Sequence, residues 1–272
     1  VPCSYALVGI ESGNETPVLF DLVRGPDCID KFICQLRQFA KKIYNRKQKY
    51  RVFTGDAPPL SRDCWICETP FAESDVSVID HCHYSGKFLG WAHNSCKINR
   101  KTPNYTPVFA HDLTNYDMHH VCQALNNNPL DTLSVIPSTD EKYISLTLGV
   151  YLYARRNSAD VEVRVYEYLR FVYSYKFMLA SLATLAENLP DDNFIYLDNY
   201  FQGDFDESSI KLFRGKGFYP YSYMDSFGRF DETGLPPLNS WKNTLANDKV
   251  TITHTELKFA ENVYQKFKCN NM

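Results

Sequence analysis

Two short pairs of metal-ligating residue types stand out in the chain: Cys64-x2-Cys67 and, after 25 intervening residues, His93-x2-Cys96. Three thiolates and one imidazole suit a tetrahedral zinc ion, and an x2 spacing lets both side chains of one turn reach the same ion. The surrounding segment, 62–101, is only about 40 residues long and has little core of its own, so bound zinc would supply its folding energy. The nine cysteines are an odd number and cannot all pair within the chain. That usage fits a metal site in a reducing compartment better than a secreted disulfide scaffold.

Between the pairs stands Asp80-His81-Cys82-His83-Tyr84-Ser85-Gly86-Lys87. An adjacent carboxylate and imidazole can hold a cation and serve as a base for water, the two needs of phosphodiester hydrolysis. The elements that must position them are legible nearby. A strand over 76–79 runs into Asp80-His81, Ser85-Gly86 is a turn, 88–91 is a return strand, and a helix is expected over 97–101. Asp-His-x-His-x-Ser-Gly-Lys-x-x-Gly between such knuckles resembles the endonuclease VII branch of the HNH, or ββα-metal, nucleases. The resemblance implies that Asp80 holds magnesium, that His81 activates water, and that His83 orients the phosphate or supports the site. It also implies that both Asp80 and His81 face a groove open to water. The family's second magnesium ligand is an Asn directly after the last knuckle cysteine, and Lys97 stands there instead. A protonated lysine cannot ligate magnesium. Arg62, Lys87, Lys97, Arg100 and Lys101 crowd the segment and are candidate phosphate contacts.

The rest of the chain reads as an α+β protein. Hydrophobic residues make up 44% and charged residues 22%, which excludes a disordered chain. No apolar run is long enough for a membrane span, and a net charge of −3 excludes a globally basic nucleic-acid binder. The chain begins at Val1, not Met, so the lack of a leader carries no weight. Strands are expected over 5–10 and 17–23, joined at Ser12-Gly13-Asn14. Ile29, Phe32, Ile33, Leu36, Phe39, Ala40 and Ile43 recur at helical spacing, with Asp27 as a cap. The other face of that helix is basic: eight Lys or Arg and no acid lie between Lys31 and Arg51. Further on, helices are expected over 116–125, 179–189 and 257–267, and strands over 143–153 and 161–171. From Glu187 to Glu207 there are seven acids and no base, a stretch unsuited to a nucleic-acid backbone. His119-His120 and the tyrosines of 219–223 are read as packed structural residues.

A second resemblance concerns 108–119, which contains His111-Asp112-Leu113-Thr114-Asn115-Tyr116-Asp117. It is similar to the second exonuclease motif of family B DNA polymerases, in particular the protein-primed polymerases of Maverick/Polinton elements, where an endonuclease VII-like module precedes this motif. Stretches 25–36, 169–185 and 217–237 resemble the same polymerases in the same order. The implied fold is α+β, an exonuclease-like αβ body interrupted by a zinc-bound ββα module. The implied segments are 1–61, 62–101 and 102–272. Asp117 matches one catalytic acid of the exonuclease. Asp112 replaces the family's Asn, Tyr173 replaces an Asp, and the third motif is expected to follow at about Cys269, close to the last residue given, Met272. No 3′–5′ exonuclease or polymerase activity is therefore expected, and Asp117 is read as a helix-start acid.

Three function classes stay open. The first is a magnesium-dependent endonuclease acting through His81 and Asp80. The second is a non-cutting nucleic-acid binder, and the third a subunit that keeps only the scaffold to bind other proteins. DNA is the expected partner, with no membrane and no small-molecule substrate. The expected setting is intracellular, in the nucleus rather than the cytoplasm.

Overall fold

The computed structural model describes residues 2–111, 117–125, 128–139, 142–215, 217–241 and 252–272. The chain is mixed α and β. Its main elements are β1 (Ser4–Gly9), β2 (Leu19–Arg24), α1 (Cys28–Lys49), β3 (Ser77–His81), β4 (Phe88–His93), α2 (Asn94–Asn99), β5 (Tyr105–Ala110), α3 (Asp117–Leu125), β6 (Thr132–Thr139), β7 (Lys142–Arg156), β8 (Glu162–Tyr173), α4 (Leu182–Glu187), α5 (Ile195–Phe201), α6 (Glu207–Ile210) and α7 (His254–Lys266). It forms two compact units, Val1–Phe32 with Tyr175–Met272, and Ile33–Ser174. The 62–101 segment lies wholly in the second unit, whereas 1–61 and 102–272 are each divided between the two.

In the first unit, β1 and β2 form an antiparallel hairpin in the register Ser4↔Arg24 to Gly9↔Leu19. Phe20 of the hairpin stacks on Tyr200 at 4.4 Å and meets Phe201 edge-on. Phe201, Phe205, Phe213 and Phe267 then pack ring against ring as one aromatic cluster. The acidic 187–207 stretch is answered in part by cations from outside it. Arg214 pairs with Asp198 at 2.6 Å and Asp191 at 3.4 Å, and Lys266 approaches Asp206 at 3.5 Å. Helix α7 starts with a full capping box between Thr253 and Glu256. Of the tyrosine run only Tyr223 is drawn in, donating to Glu232 at 2.5 Å under the Arg229 guanidinium, whereas Tyr219 and Tyr221 meet at 5.0 Å and are both exposed.

The second unit is built on a four-stranded sheet in the order β5-β8-β7-β6, with β5 parallel to β8 and the other pairs antiparallel. Leu146, Leu148 and Val150 are opposed in register by Phe171, Leu169 and Glu167, and all six are buried. Period-two alternation places them on one face, so Glu167 is an acid set into an apolar sheet face. Lys47 of α1, itself partly exposed, forms an ion pair with it, and Arg37, ten residues earlier, pairs with Asp131 at 2.7 Å. Burial pushes the Glu167 carboxyl upward, offset in part by Lys47. Two of the eight basic residues counted along this stretch are thus inner-face residues. Lys41, Lys42, Arg46 and Lys49 lie on the exposed side, while Ile33, Leu36, Ala40 and Ile43 are buried.

Several expected elements occur with shifted ends. Helix α1 runs on to Lys49, and β7 and β8 are longer than the 143–153 and 161–171 expected. Strand β6 and helix α5 were not expected. The helix after the second knuckle begins at Asn94, before Cys96, and not at Lys97. Asp117 is the first residue of α3, and Asp112 lies outside the described residues.

Candidate metal centre

Cys64, Cys67, His93 and Cys96 offer one ligand atom each, and the four atoms lie within 4.8 Å of one another. Bonds of 2.0–2.3 Å to a tetrahedral ion place ligands about 3.5–3.8 Å apart. His93 Nδ1 is 3.4 Å from Cys67 Sγ and 3.7 Å from Cys96 Sγ, already at that spacing. The four residues therefore form a site able to hold a metal ion.

Local structure explains how they meet. The first knuckle turns back on itself through Glu68 N–H to Cys64 O at 2.8 Å and Cys64 N–H to Thr69 O at 2.9 Å. That turn puts Glu68 in the left-handed region at φ 60°. The second knuckle lies where β4 ends and α2 begins, so His93 and Cys96 share the first turn of a helix. Strands β3 and β4 pair from Ser77↔His93 to His81↔Phe88 and are followed by α2, giving the ββα order expected over 76–101. Trp65 N–H bonds Trp91 O at 2.9 Å and joins the first knuckle to the hairpin. A Cβ on Gly90 would come within 2.4 Å of the Trp65 ring, so only glycine lets that ring lie on β4.

Three residues around this centre had no signal in the sequence motif. Asp75 Oδ2 sits 3.2 Å from His93 Nε2, on the ring edge away from the sulfurs. It holds the imidazole so that Nδ1 is the ligand atom, the usual carboxylate–histidine support of a metal site. Asp75 is itself fixed by accepting the Ala72 N–H at 2.7 Å. The Thr69 hydroxyl lies 3.1 Å from Cys67 Sγ, and hydrogen bonds from Thr69 draw the Cys67 thiol down to about 6. The bond shared with Cys67 and the burial around it push Cys96 up to about 11. The third residue is Tyr50, whose carbonyl oxygen is 2.9 Å from His81 Nε2.

The expectation that Asp80 and His81 face open water is overturned: each is only 6% exposed. Asp80 Oδ2 accepts from Arg100 Nη1 at 2.8 Å, and Lys97 Nζ stands 3.9 Å from Oδ1. Lys97 also donates to the Ile79 carbonyl at 2.6 Å. Arg100 is held from its other side by the Trp65 ring, 4.6 Å from the guanidinium carbon. His81 is directed elsewhere, between Phe53 at 5.6 Å and His83 at 4.9 Å, with its Nε2 at the Tyr50 carbonyl. His83 is exposed, and desolvation and repulsion from His81 push its imidazole below the ordinary range.

These residues do not fit a magnesium ion at Asp80. Magnesium keeps a near-octahedral shell of oxygens, mostly water. Here one buried carboxylate has two cations in the place of the metal, and Lys97 and Arg100 supply no oxygen. The two cations are correspondingly engaged within the fold. Arg62, Lys87 and Lys101 are exposed and make no ion pair among the described residues. Among the described residues no helix is long and apolar enough to cross a membrane. Comparison with protein-family models, curated proteins and solved structures finds no match.

Proposed function

We propose that the chain is a nucleic-acid-binding protein in which a zinc-stabilised ββα module of endonuclease VII type holds DNA without cutting it. The observation that carries this reading is the closed ion pair at Asp80. In a working ββα-metal site this carboxylate must meet a divalent ion and water. In this chain it meets Arg100 and Lys97, behind a nearly water-free surface. Zinc is the ion that three thiolates and one imidazole select, and its role in a closed four-ligand site is structural.

Two sets of exposed cations are candidate contacts for a phosphate backbone. One comprises Arg62, Lys87 and Lys101 of the module, and the other the exposed side of α1 with Lys41, Lys42 and Lys49. Derivation from the front part of a Maverick/Polinton-type DNA polymerase accounts for both the module and the 108–119 stretch. Under this reading neither exonuclease nor polymerase chemistry is retained. The test is plasmid incubation with the purified chain and magnesium or manganese, beside a binding titration with the same DNA. Bound and intact plasmid is the expected result. Nicking that is lost in His81→Ala at unchanged zinc content would restore the endonuclease reading.

A further inference from the structure

The C-terminal end of α1 and the long β7–β8 pair enclose a polar cleft that the metal centre does not use. Tyr44 and Gln48 are one helical turn apart, and Arg51 follows on the same side just past the helix end, its N–H bonded to Gln48 O. On the sheet, Tyr153 and Arg155 alternate onto one face, and Val165 is the register partner of Tyr153. These six residues line a cavity of about 270 Å³. None of them is acidic. Neither the Arg51 nor the Arg155 guanidinium has a carboxylate partner among the described residues, although most other arginines of the second unit do or stack on an aromatic ring.

The two tyrosines give the cleft further donors. Their hydroxyl oxygens are 2.6 Å apart, so one proton lies between them and the other is left to donate outward. That bond and burial push the Tyr44 phenol further up. Two guanidinium forks, a primary amide and a spare phenolic proton match the oxygens of a phosphate group. The volume leaves room for sugar on either side of it, and the exposed Tyr153 ring offers a face for a base. Both ends of the cleft lie on the unit that carries the exposed lysines of α1, which continue the positive surface away from it.

We propose that this cleft binds one phosphodiester of a nucleic-acid backbone. The proposal rests on the nucleic-acid reading above and gives it a second anchor outside the 62–101 module. Both arginines are exposed, so their replacement should not disturb folding. The experiment titrates a fluorescein-labelled oligonucleotide against wild type and the Arg51→Ala/Arg155→Ala double variant over a range of salt. The double variant should bind about tenfold more weakly, with a log–log salt slope shallower by about one, as expected for one lost phosphate. Arg155→Lys should recover only part of the loss, since lysine lacks the fork. In a second arm, inorganic phosphate alone should shift the Gln48 side-chain amide signals of the wild type and not those of the double variant. Equal binding by wild type and double variant overturns the cleft assignment and leaves the nucleic-acid reading standing. A wild type that binds no oligonucleotide at low salt overturns that reading and this proposal together. Phosphate shifts without any oligonucleotide binding assign the cleft to a free anion and likewise overturn the proposal.

Discussion

Arg100 Nη1 lies 2.8 Å from Asp80 Oδ2, joining the residue just past α2 to the end of β3 through a carboxylate that is almost wholly buried. The same guanidinium lies over Trp65 of the first knuckle. One side chain thus connects knuckle, hairpin and helix, the three parts that a bound metal also connects. Its position explains why a motif that reads as catalytic packs as structure.

Removing Arg100 should therefore cost stability. Arg100→Ala leaves Asp80 buried with only Lys97 nearby, and a loss of about 2 kcal/mol is expected in urea unfolding of the metal-loaded protein. Asp80→Asn, which removes the charge together with the need for a partner, should cost less. An Arg100→Ala cost below about 0.5 kcal/mol, the range of an exposed pair, would show that the pair does not form in solution.

Metal removal should act locally. Chelation should expose the amides of 62–101 to hydrogen exchange while the β5-β8-β7-β6 sheet keeps its protection, because the metal-binding energy is folding energy for that segment. Cys64→Ser should reproduce the pattern without chelator. Uniform loss of protection across the second unit would mean that the sheet depends on the metal as well.

Glu68 occupies a backbone conformation that costs an L side chain about 1 kcal/mol. Glu68→Gly should raise the stability of the metal-loaded protein by about 0.5–1 kcal/mol, allowing for the greater freedom of glycine in the unfolded chain. Thermal unfolding at fixed zinc concentration reads this directly. A lower midpoint in the variant would show that the Glu68 side chain makes a contact worth more than the strain.

The Lys47–Glu167 pair gives a pH signature. The Glu167 carboxyl is raised in the fold, so folding takes up a proton there. Its contribution is fully present below the unfolded carboxyl range and is lost as pH rises through the folded value. Lys47→Met removes the offsetting charge and raises the folded value further. The variant's deficit should be small near pH 4 and about 3 kcal/mol near pH 7. Lys47→Met/Glu167→Leu should abolish this pH dependence. A deficit that does not change between the two pH values would contradict the burial of Glu167.

Much of this architecture was legible in the sequence because its signals are local. Ile33, Leu36, Ala40 and Ile43 mark the inner face of α1 by spacing alone. The x2 pairs identify four residues that the fold brings together. What escaped was set by partners distant in sequence. Lys47 and Arg37 read as part of a basic face because Glu167 and Asp131 lie about 120 and 94 positions away. Asp80 and His81 read as an open catalytic pair because nothing near them reveals that Arg100 closes over the carboxylate and the Tyr50 carbonyl over the imidazole. Asp75 is one of several acids near the knuckle, and only the His93 ring orientation distinguishes it.

The proposed function has the chain hold nucleic acid and leave it whole. The most direct measurement is a titration of end-labelled duplex DNA with the zinc-loaded protein in magnesium, across a range of salt, with the recovered strands run on a denaturing gel. The expected result is binding that weakens steeply as salt rises, with full-length strands at every protein concentration. Absence of binding at low salt, or cleaved strands that disappear with His81→Ala, would contradict it.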